Sequence, residues 1–486
     1  MKKGDILEMK IEGVVYPGKA YGLVGSGENV KKCWLKSGLA GQRVQVRITK
    51  KRSKKIEGQV LAVLEGAPGE IAPECPVFGR CGGCSYQNLP YEDQLAMKAG
   101  WVKELLDEAG VTGYEWRPIL PSPEVFGYRN KMEFSFGDDT PGGPLRLGLH
   151  EKGRFYNIVG AGDCRLVHRD FGLLVEAITA YFGERGTPYF HKRSHEGYLR
   201  HVVIRRASAT GEILVNLVTT SQGELDREAF VAHLSALPLG GSLAGILHSV
   251  YDGVADVVQA DRITVLYGEG FIHDRVLGLE FAISPFSFFQ TNTRGAEVLY
   301  QTVRQGVQEV WQQRHPAPEG QRWSCEAAAR DQAEAGFAAQ PVIFDLYCGT
   351  GTIAQVMAPM AKKVVGVELV EEAVEAAKSN AAANGLDNCT FIAGDVMEKV
   401  AELTDRPEVI ILDPPREGIH PKAIWGILDF HPEIFAYVSC KASSLARDLP
   451  FFVQAGYKVE SVRCVDMFPH TQHVETVVLM SRVEGK

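Results

Sequence analysis

Two residues near the carboxyl end of the chain are of types that can carry out covalent catalysis. Cys440 directly follows an apolar segment, and it lies 27 residues after Asp413, the first residue of Asp413-Pro414-Pro415-Arg416. Glu475, 35 residues further on, interrupts another apolar segment, where an isolated carboxylate is costly to bury without a partner or a purpose. A thiol and a carboxylate that face one substrate can act as nucleophile and general base. The structural alternatives are a buried cysteine and a paired carboxylate.

Methylation of a pyrimidine at C5 is a reaction that needs this pair. C5 of uracil is a weak nucleophile, and addition of a thiolate to C6 makes it enolate-like. Once C5 carries the methyl group, a base must remove the C5 proton before the thiol can leave. Methylation of an exocyclic amine needs neither group. Asp-Pro-Pro also occurs in amino-group methyltransferases, but those typically follow it with an aromatic residue, whereas this chain has Arg416.

A glycine-rich segment upstream predicts a nucleotide-type cofactor site. An apolar strand ends near Asp345, and Gly349-Thr350-Gly351 precedes a helix, so that the backbone can approach a ligand closely. The next strand ends at Glu368, where a carboxylate can accept hydrogen bonds from both ribose hydroxyls. Spacing alone leaves NAD open, because Ala354 is tolerated at the third glycine position. The later strand end at Asp413 favours S-adenosylmethionine over NAD and over a structural glycine turn.

Asp395 follows the third strand of the same pattern, in Gly394-Asp395-Val396. This position would allow its carboxylate to meet an adenine ring, and a helix N-cap is the structural alternative. Three further cysteines of the region are expected to be structural: Cys348, Cys389 and Cys464.

Three cysteines cluster in a loop-like segment, in Cys75-x5-Cys81-Gly82-Gly83-Cys84. Thiolates at this spacing are soft metal ligands, and glycines between two of them allow backbone amides to turn toward sulfur. Cys164 is the best candidate for a fourth ligand. The pattern predicts a cuboidal [4Fe-4S] cluster, with zinc as the main competitor because four thiolates also suit it.

The elements that must position these residues fall into three parts. Residues 1–65 alternate polar and apolar side chains, which predicts a small β-barrel or sheet. Residues 70–90 and 125–280 form a mainly β central domain that carries the cysteines. From Val342 onward, alternating strands and helices predict an α/β, doubly wound sheet closed by a hairpin. A segment from 315 to 340, rich in Ala, Gln, Glu and Pro, is interpreted as a peripheral insertion.

The charge of the chain is unevenly distributed. The net charge is −8, yet residues 1–60 contain 14 Lys or Arg against 5 Asp or Glu. A basic front on an acidic body can bind the phosphates of RNA, and a solvated basic face is the alternative. The start of the chain has no apolar leader-like region, and no run of eighteen uncharged apolar residues occurs. The expectation is a cytoplasmic monomer without membrane contact.

Together these motifs resemble the RNA 5-methyluridine methyltransferase family, in particular its iron–sulfur branch that modifies 23S ribosomal RNA. The likeness extends over nearly the whole chain. The basic module resembles an OB-like TRAM barrel, the four cysteines match the cluster ligands, and residues 126–131 and 287–292 match motifs of the central and catalytic domains. The fold implied is a Rossmann-like S-adenosylmethionine-dependent methyltransferase domain joined to a TRAM barrel and a central iron–sulfur domain. The resemblance also implies that the catalytic domain consists of residues 91–124 and 281–486, so that the helix from Tyr91 packs with it although it precedes the central domain.

The resemblance also implies roles for individual residues. Cys440 would be the nucleophile and Glu475 the base. Contacts to S-adenosylmethionine are implied for Gln290, Tyr347, Glu368 and Asp413, although Asp413 could face the uracil instead. The chain departs from the family at Lys441-Ala442, where Asn-Pro is common, so the turn that presents the thiol is open. Transfer RNA as the substrate and a non-catalytic RNA-binding or chaperone protein are the alternatives.

Overall fold

The structure, a computed structural model, describes residues 2–25, 27–52, 55–316, 340–399 and 402–483. Residues 317–339, which make up nearly all of the predicted insertion, lie outside this range. So do Ser53 and Lys54 of the basic loop that joins the last two strands of the amino-terminal module.

The amino-terminal module is a closed barrel of five strands in the order β1-β2-β3-β5-β4, which confirms the prediction of a small β-barrel. Its interior is apolar because every second residue points inward; Val44, Val46 and Ile48 of β4 are buried while their neighbours reach the surface. The strands are β1 (Ile6–Val15), β2 (Lys19–Val24), β3 (Lys31–Leu35), β4 (Arg43–Lys51) and β5 (Ile56–Glu65).

The central part is a seven-stranded sheet in the order β13-β12-β11-β10-β7-β8-β9. Two helices pack against it, α2 (Arg169–Glu184) and α3 (Arg227–Ser235), which the reading of this region as mainly strands did not include. The signal was present, since Phe171, Leu174, Val175 and Ile178 recur at helical spacing and are all buried. The strands are β7 (Lys131–Gly137), β8 (Arg146–Glu151), β9 (Arg154–Gly160), β10 (Leu199–Arg206), β11 (Glu212–Thr219), β12 (Ser242–Val250) and β13 (Arg262–Gly268).

The catalytic domain is an eight-stranded sheet in the order β18-β17-β16-β19-β20-β22-β21-β6. The first five strands of that order run parallel, and β22 is antiparallel to both of its neighbours. The strands are β6 (Glu115–Leu120), β16 (Val342–Leu346), β17 (Lys363–Glu368), β18 (Cys389–Ala393), β19 (Val409–Leu412), β20 (Ile434–Ser439), β21 (Tyr457–Val465) and β22 (Glu475–Arg482).

Helices cover both faces of this sheet, so its central strands are apolar on both sides. A separate hairpin, β14 (Ile272–Val276) and β15 (Leu279–Ile283), packs beside them. None of the helices in the described ranges is both long and apolar enough to cross a membrane. The helices are α1 (Tyr91–Glu108), α4 (Thr293–Arg314), α5 (Thr352–Met357), α6 (Glu371–Ala383), α7 (Val396–Lys399), α8 (Pro421–Leu428) and α9 (Ala442–Gln454).

Helix α1 is tied to the catalytic sheet although it precedes the central domain in the chain. Lys98 of α1 and Asp466, just after β21, form a fully buried ion pair with 2.7 Å between Nζ and Oδ1. Lys98 also donates to the carbonyl of Phe468 at 3.0 Å. Removing either partner would leave an uncompensated buried charge. The pair therefore fixes the helix against the turn that leads into β22.

The barrel is docked onto α1 through the connection between β1 and β2. The indole Nε1 of Trp101 donates to the carbonyl of Val14 at 2.9 Å, and the ring of Tyr16 meets the Trp101 ring edge-on. Trp101 is buried and also packs on the ring of Tyr86. The barrel therefore holds a defined position beside the catalytic domain.

Candidate active site

The predicted catalytic residues lie at one edge of the eight-stranded sheet. Parallel strands place their carboxyl ends together, so the residues after β16, β19 and β20 share this edge with the end of β17. Strand β22 runs in the opposite direction, and its register pairs Ser439 with Thr476. Cys440, after the end of β20, therefore lies next to Glu475, the first residue of β22. Residues 35 positions apart in sequence are brought together by this one pairing.

Both groups have raised pKa values. Burial, together with the negative charges of Glu475 and Asp413, raises the pKa of the Cys440 thiol to about 11, and Arg416 opposes this rise. Burial and the charge of Asp413 raise the pKa of Glu475 to about 8, again against Arg416. Glu475 is only 4% exposed. Such shifts are common where a buried thiol and carboxyl group are held for acid–base or nucleophilic chemistry.

Further buried polar groups lie behind this pair. Burial raises the pKa of Asp413 to about 7, although part of the residue reaches the surface. Burial and the charge of Asp413 also raise the pKa of Asp345, whose Oδ2 accepts a 2.8 Å hydrogen bond from the amide of Ala354. Burial and the charges of Asp413, Asp345 and Glu475 raise the pKa of Tyr300 of α4, and Gln290 opposes this rise. Sequence reasoning missed Tyr300, because it has the helical spacing of an ordinary core residue.

The glycine-rich loop has the backbone geometry that its composition predicts. Gly349 and Gly351 have φ values of 53° and 71°, and a Cβ at Gly351 would lie 2.5 Å from the Phe391 ring. Tyr347 has a φ of 68°, which is uncommon for a bulky residue. Glu368 accepts hydrogen bonds from two backbone amides, Gly349 to Oε2 and Val370 to Oε1, each at 3.0 Å. The loop and the carboxylate are therefore fixed relative to each other.

Asp395 lies at the outer side of the same edge, after β18. Its Oδ1 accepts a 2.7 Å hydrogen bond from the amide of Met397, so the side chain caps the short helix α7. Asp395 therefore caps a helix, which is the structural role that the sequence left open as the alternative. The residue remains exposed and its second carboxylate oxygen has capacity for another partner.

The turn after the nucleophile candidate is held by serine hydroxyls. The Lys441 amide donates to Ser439 Oγ at 3.2 Å, and Ser444 Oγ donates to the carbonyls of Lys441 and Arg416 at 2.9 and 3.0 Å. Tyr16 of the barrel reaches this turn, where Ser443 offsets part of the rise that burial gives to the pKa of Tyr16. The loop that follows Asp413 and the turn that follows Cys440 are therefore linked by hydrogen bonds. This turn contains Lys441-Ala442, where Asn-Pro is common in the family.

The two family-like motifs pack against each other beside the site. The side-chain amide of Asn130 donates to the carbonyl of Gln290 and to Thr293 Oγ1, both at 2.8 Å. Arg205 of β10 donates to the carbonyls of Pro285 and Ser287. Next to this junction Phe288 is 66% exposed, and its carbonyl accepts a hydrogen bond from Thr350 of the glycine-rich loop. An exposed aromatic ring thus lies beside the sheet edge.

The four predicted metal-ligating cysteines line a single cavity of about 380 Å³: Cys75, Cys81, Cys84 and Cys164. The amide of Gly83 donates to Cys81 Sγ at 3.4 Å, and Gln87 Nε2 donates to Cys84 Sγ at 3.2 Å. Burial raises the pKa of Cys164 to about 11, and the nearby thiols of Cys81 and Cys75 add to this rise. Across the described part of the chain, no three His, Cys, Asp or Glu side chains converge closely enough for one metal ion.

Comparison with known proteins gives consistent matches. Residues 322–483 match the family model of tRNA (uracil-5-)-methyltransferases. An RNA methyltransferase of Clostridium tetani is 44% identical, with 99% of each chain covered. Another from Caldanaerobacter subterraneus subsp. tengcongensis is 45% identical, with 99% of this chain and all of that protein covered.

A solved structure has the same fold along nearly the whole chain. It is the tRNA (uracil-54, C5)-methyltransferase of Pyrococcus abyssi in complex with S-adenosyl-L-homocysteine. The match has a TM-score of 0.72 at 24% identity and covers 97% of this chain and 100% of that one. The fold therefore extends beyond the carboxyl-terminal region that the family model matches.

Proposed function

Because this chain belongs to the family of S-adenosylmethionine-dependent RNA uracil-5-methyltransferases, we propose that it converts a uridine of 23S ribosomal RNA to 5-methyluridine with Cys440 as nucleophile and Glu475 as base. The proposal depends chiefly on one observation, the pairing of β20 with β22 that sets Cys440 beside Glu475. Because the family is enzymatic, the alternative of a non-catalytic RNA-binding protein has no support.

The mechanism follows from the chemistry of these two residues. The Cys440 thiolate attacks C6 of the uracil, a C6–S bond forms, and electron density moves to C5. S-adenosylmethionine, when bound, supplies the electrophilic methyl group that C5 accepts. Glu475 then removes the proton from C5. The electron pair of the broken C5–H bond restores the C5–C6 double bond as the C6–S bond breaks. Cys440 leaves as a thiolate and Glu475 holds the proton.

With these raised pKa values, both groups must lose a proton before they can act as nucleophile and base. A thiol whose pKa is about 11 and a carboxyl group whose pKa is about 8 are largely protonated at neutral pH in the free protein. Arg416 lowers the pKa of both groups and is the cation that favours their reactive, negatively charged forms. The target uracil must leave its stack in the RNA to reach these groups, so activity depends on Cys440, Glu475 and Arg416 acting together around the bound uracil.

Seven of the described residues are proposed to hold S-adenosylmethionine. The carboxylate of Glu368 uses one lone pair of each oxygen for a backbone amide and can accept the ribose hydroxyls with the others. Gly349 and Gly351 allow close backbone approach on the neighbouring strand end. The remaining candidates surround this loop: Gln290, Tyr347, Asp395 and Asp413.

We further propose that Cys75, Cys81, Cys84 and Cys164 bind a [4Fe-4S] cluster. The donor set consists of four soft sulfur atoms around one cavity, and hydrogen bonds from Gly83 and Gln87 to sulfur are of the kind that stabilise thiolates in such sites. Zinc is the competing metal, because four thiolates also suit it. The role proposed for the cluster is structural.

For this site, Cys84→Ser is expected to lower the iron content and weaken the broad visible absorption of anaerobically purified protein. The reason is that a hydroxyl is a poor substitute for a soft thiolate ligand. Iron and zinc analysis together with the absorption spectrum measures the change. Cys389→Ser is the matched control, because Cys389 is half-buried on β18 and takes no part in the cavity. Colourless wild-type protein with one zinc per chain would rule out the cluster.

The RNA target is tested by mapping 5-methyluridine in a strain that lacks this protein. We expect one or more 5-methyluridines to disappear from 23S ribosomal RNA and to return with the wild-type gene but not with Cys440→Ala. Transfer RNA is the second candidate substrate, because the structural neighbour from Pyrococcus abyssi is a tRNA (uracil-54, C5)-methyltransferase. Loss of the modification from transfer RNA, with 23S ribosomal RNA unchanged, would favour this second substrate.

In this proposal the domains divide the work. The TRAM-like barrel of residues 1–65 and the central domain of residues 70–90 and 125–280 bind RNA. Residues 91–124 and 281–486 methylate it, acting as a monomer. The basic composition of residues 1–60 supports RNA binding by the barrel.

A further inference from the structure

A pair of exposed aromatic residues lies on the central domain, outside the active site. Phe155 and Tyr156 are adjacent in β9, the edge strand of the seven-stranded sheet, and they are 55% and 53% exposed. Their rings meet at 5.6 Å and nearly at right angles. Two large aromatic side chains side by side on a surface are unusual enough to suggest a binding role.

Cations cover this aromatic pair. Lys192 Nζ lies 4.3 Å from the centre of the Phe155 ring, and the guanidinium of Arg193 lies 4.6 Å from the centre of the Tyr156 ring. The imidazole of His150 stacks parallel to Phe155 at 4.9 Å. Phe155 is thus held between its neighbours. Tyr156 and the exposed guanidinium of Arg193 form the outer, more accessible pair.

The local charge is positive although the body of the protein is acidic. The segment before β10 contributes Lys192 and Arg193, and the β8–β9 hairpin contributes Lys152 and Arg154, whose side chain is mostly exposed. Two carboxylates lie among these cations and are each less than one-fifth exposed: Asp256 binds Lys192 at 2.6 Å, and Glu151 lies 3.9 Å from Arg154. Exposed cations beside a ring that can stack are the combination by which proteins bind single-stranded nucleic acid.

The hairpin that carries this surface is braced by the cysteine loop. The amide of Gly82 donates to the carbonyl of His150 at 3.0 Å, and the amide of Lys152 donates to the carbonyl of Arg80 at 2.7 Å. The backbone of Cys81 forms an isolated antiparallel β-bridge with Glu151 at the end of β8. The aromatic pair therefore has a fixed base next to the cavity that the four cysteines line.

We propose that the β8–β9 hairpin surface, made of Tyr156, Arg193, Phe155, Lys192 and Arg154, binds an unpaired segment of the RNA substrate. An unpaired base stacks on the Tyr156–Arg193 pair, and the neighbouring cations contact the phosphates. Phe155 orders Lys192 and supports Tyr156. This site lies outside the active site, rests on the RNA-modifying activity of the family, and holds whichever RNA carries the target uridine.

Tyr156→Ala tests the stacking contact. We expect the Kd for fluorescein-labelled single-stranded oligouridine, measured by fluorescence anisotropy, to rise about 5- to 160-fold, since one stacked base contributes ~1–3 kcal/mol. Tyr156→Phe should bind within about twofold of wild type, because it keeps the ring. The matched control is Tyr267→Ala, since Tyr267 is 45% exposed on β13, the opposite edge strand of the same sheet.

Arg193→Ala tests the charge. Weaker binding is expected, with the slope of log Kd against log salt reduced by about 0.7 for one lost contact to a single strand. In methylation assays on 23S ribosomal RNA transcripts, both alanine variants should raise KM for RNA and leave kcat unchanged.

Binding is measured without methyl donor, so a failure to methylate 23S ribosomal RNA does not affect this test. Oligouridine affinity unchanged in Tyr156→Ala would overturn the proposal and favour a protein as the occupant of the surface. Equal weakening by Tyr267→Ala would also overturn it, because the effect would not be specific to the hairpin surface.

Discussion

Cys440→Ala is expected to abolish methyl transfer, with a loss of about 10³-fold or more in kcat, while S-adenosylmethionine still binds. Without the thiolate, C5 of uracil never becomes enolate-like, and no other group at the site can replace this step. Residues proposed to hold the methyl donor lie at other strand ends, such as Glu368 at the end of β17 and Gly349 after β16. Binding and chemistry should therefore separate cleanly in this variant.

Two measurements check this expectation. Transfer of tritiated methyl groups to unmodified ribosomal RNA reports activity, and equilibrium binding of S-adenosylmethionine reports the cofactor site. Cys389→Ser is the control, because it also replaces a half-buried cysteine of the same sheet but lies on the distant edge strand β18. Methylation by Cys440→Ala at a rate near that of wild type would contradict the covalent mechanism.

Much of the catalytic domain can be predicted because each of its strands is recognisable from a short stretch of sequence. Strands buried on both faces are continuous apolar runs, and in a parallel sheet their carboxyl ends share one edge. Cys440 and Asp413 are marked simply by following such runs. Glu475 stands out because it is a charged residue inside an apolar run. The closing hairpin then places it beside Cys440.

Other features depend on contacts that sequence does not display. Lys98 and Asp466 are 368 residues apart, and neither has a local pattern that reveals a buried ion pair. Tyr300 joins the site from the buried face of α4, where an apolar core residue would fit the same spacing. Helix α1 and strand β6 join the catalytic sheet from before the central domain. Periodicity cannot show this connection, and residues 91–124 are expected there only from the family resemblance.

The turn after Cys440 shows how one geometry can be stabilised by different residues. Ser439 and Ser444 supply hydroxyls that bind the Lys441 backbone and connect it to Arg416. A short polar side chain that bonds to nearby backbone can fix a turn without proline. The departure at Lys441-Ala442 is therefore compatible with a held thiol, which the residue types alone could not establish.

Glu475→Gln is expected to trap a covalent complex between protein and RNA. Cys440 can still add to C6 and C5 can still accept the methyl group. The C5 proton then has no base, so the C6–S bond cannot break by elimination. Turnover should fall about 10²- to 10⁴-fold, the usual contribution of a general base. A protein–RNA band that survives denaturing gel electrophoresis and contains the tritiated methyl group measures the trapped adduct.

The fold should tolerate this change, and the double variant is the control. Glu475 is buried with a pKa of about 8, so it is mostly neutral at pH 7, and a neutral amide of the same shape replaces it closely. Cys440→Ala combined with Glu475→Gln should give no adduct. Normal turnover by Glu475→Gln alone would show that another group removes the proton.

The same variant makes a second, independent prediction about pH. The negative charge of Glu475 is one of the causes that raise the pKa of Cys440 to about 11. Removing that charge favours the thiolate, so the pKa of Cys440 should fall. Alkylation of Cys440 by iodoacetamide, followed by mass spectrometry of its peptide, should then reach half of its maximal rate at a lower pH than in wild type. A midpoint that stays unchanged or rises would mean that Glu475 does not act on the thiol, and that the two groups do not form one catalytic pair.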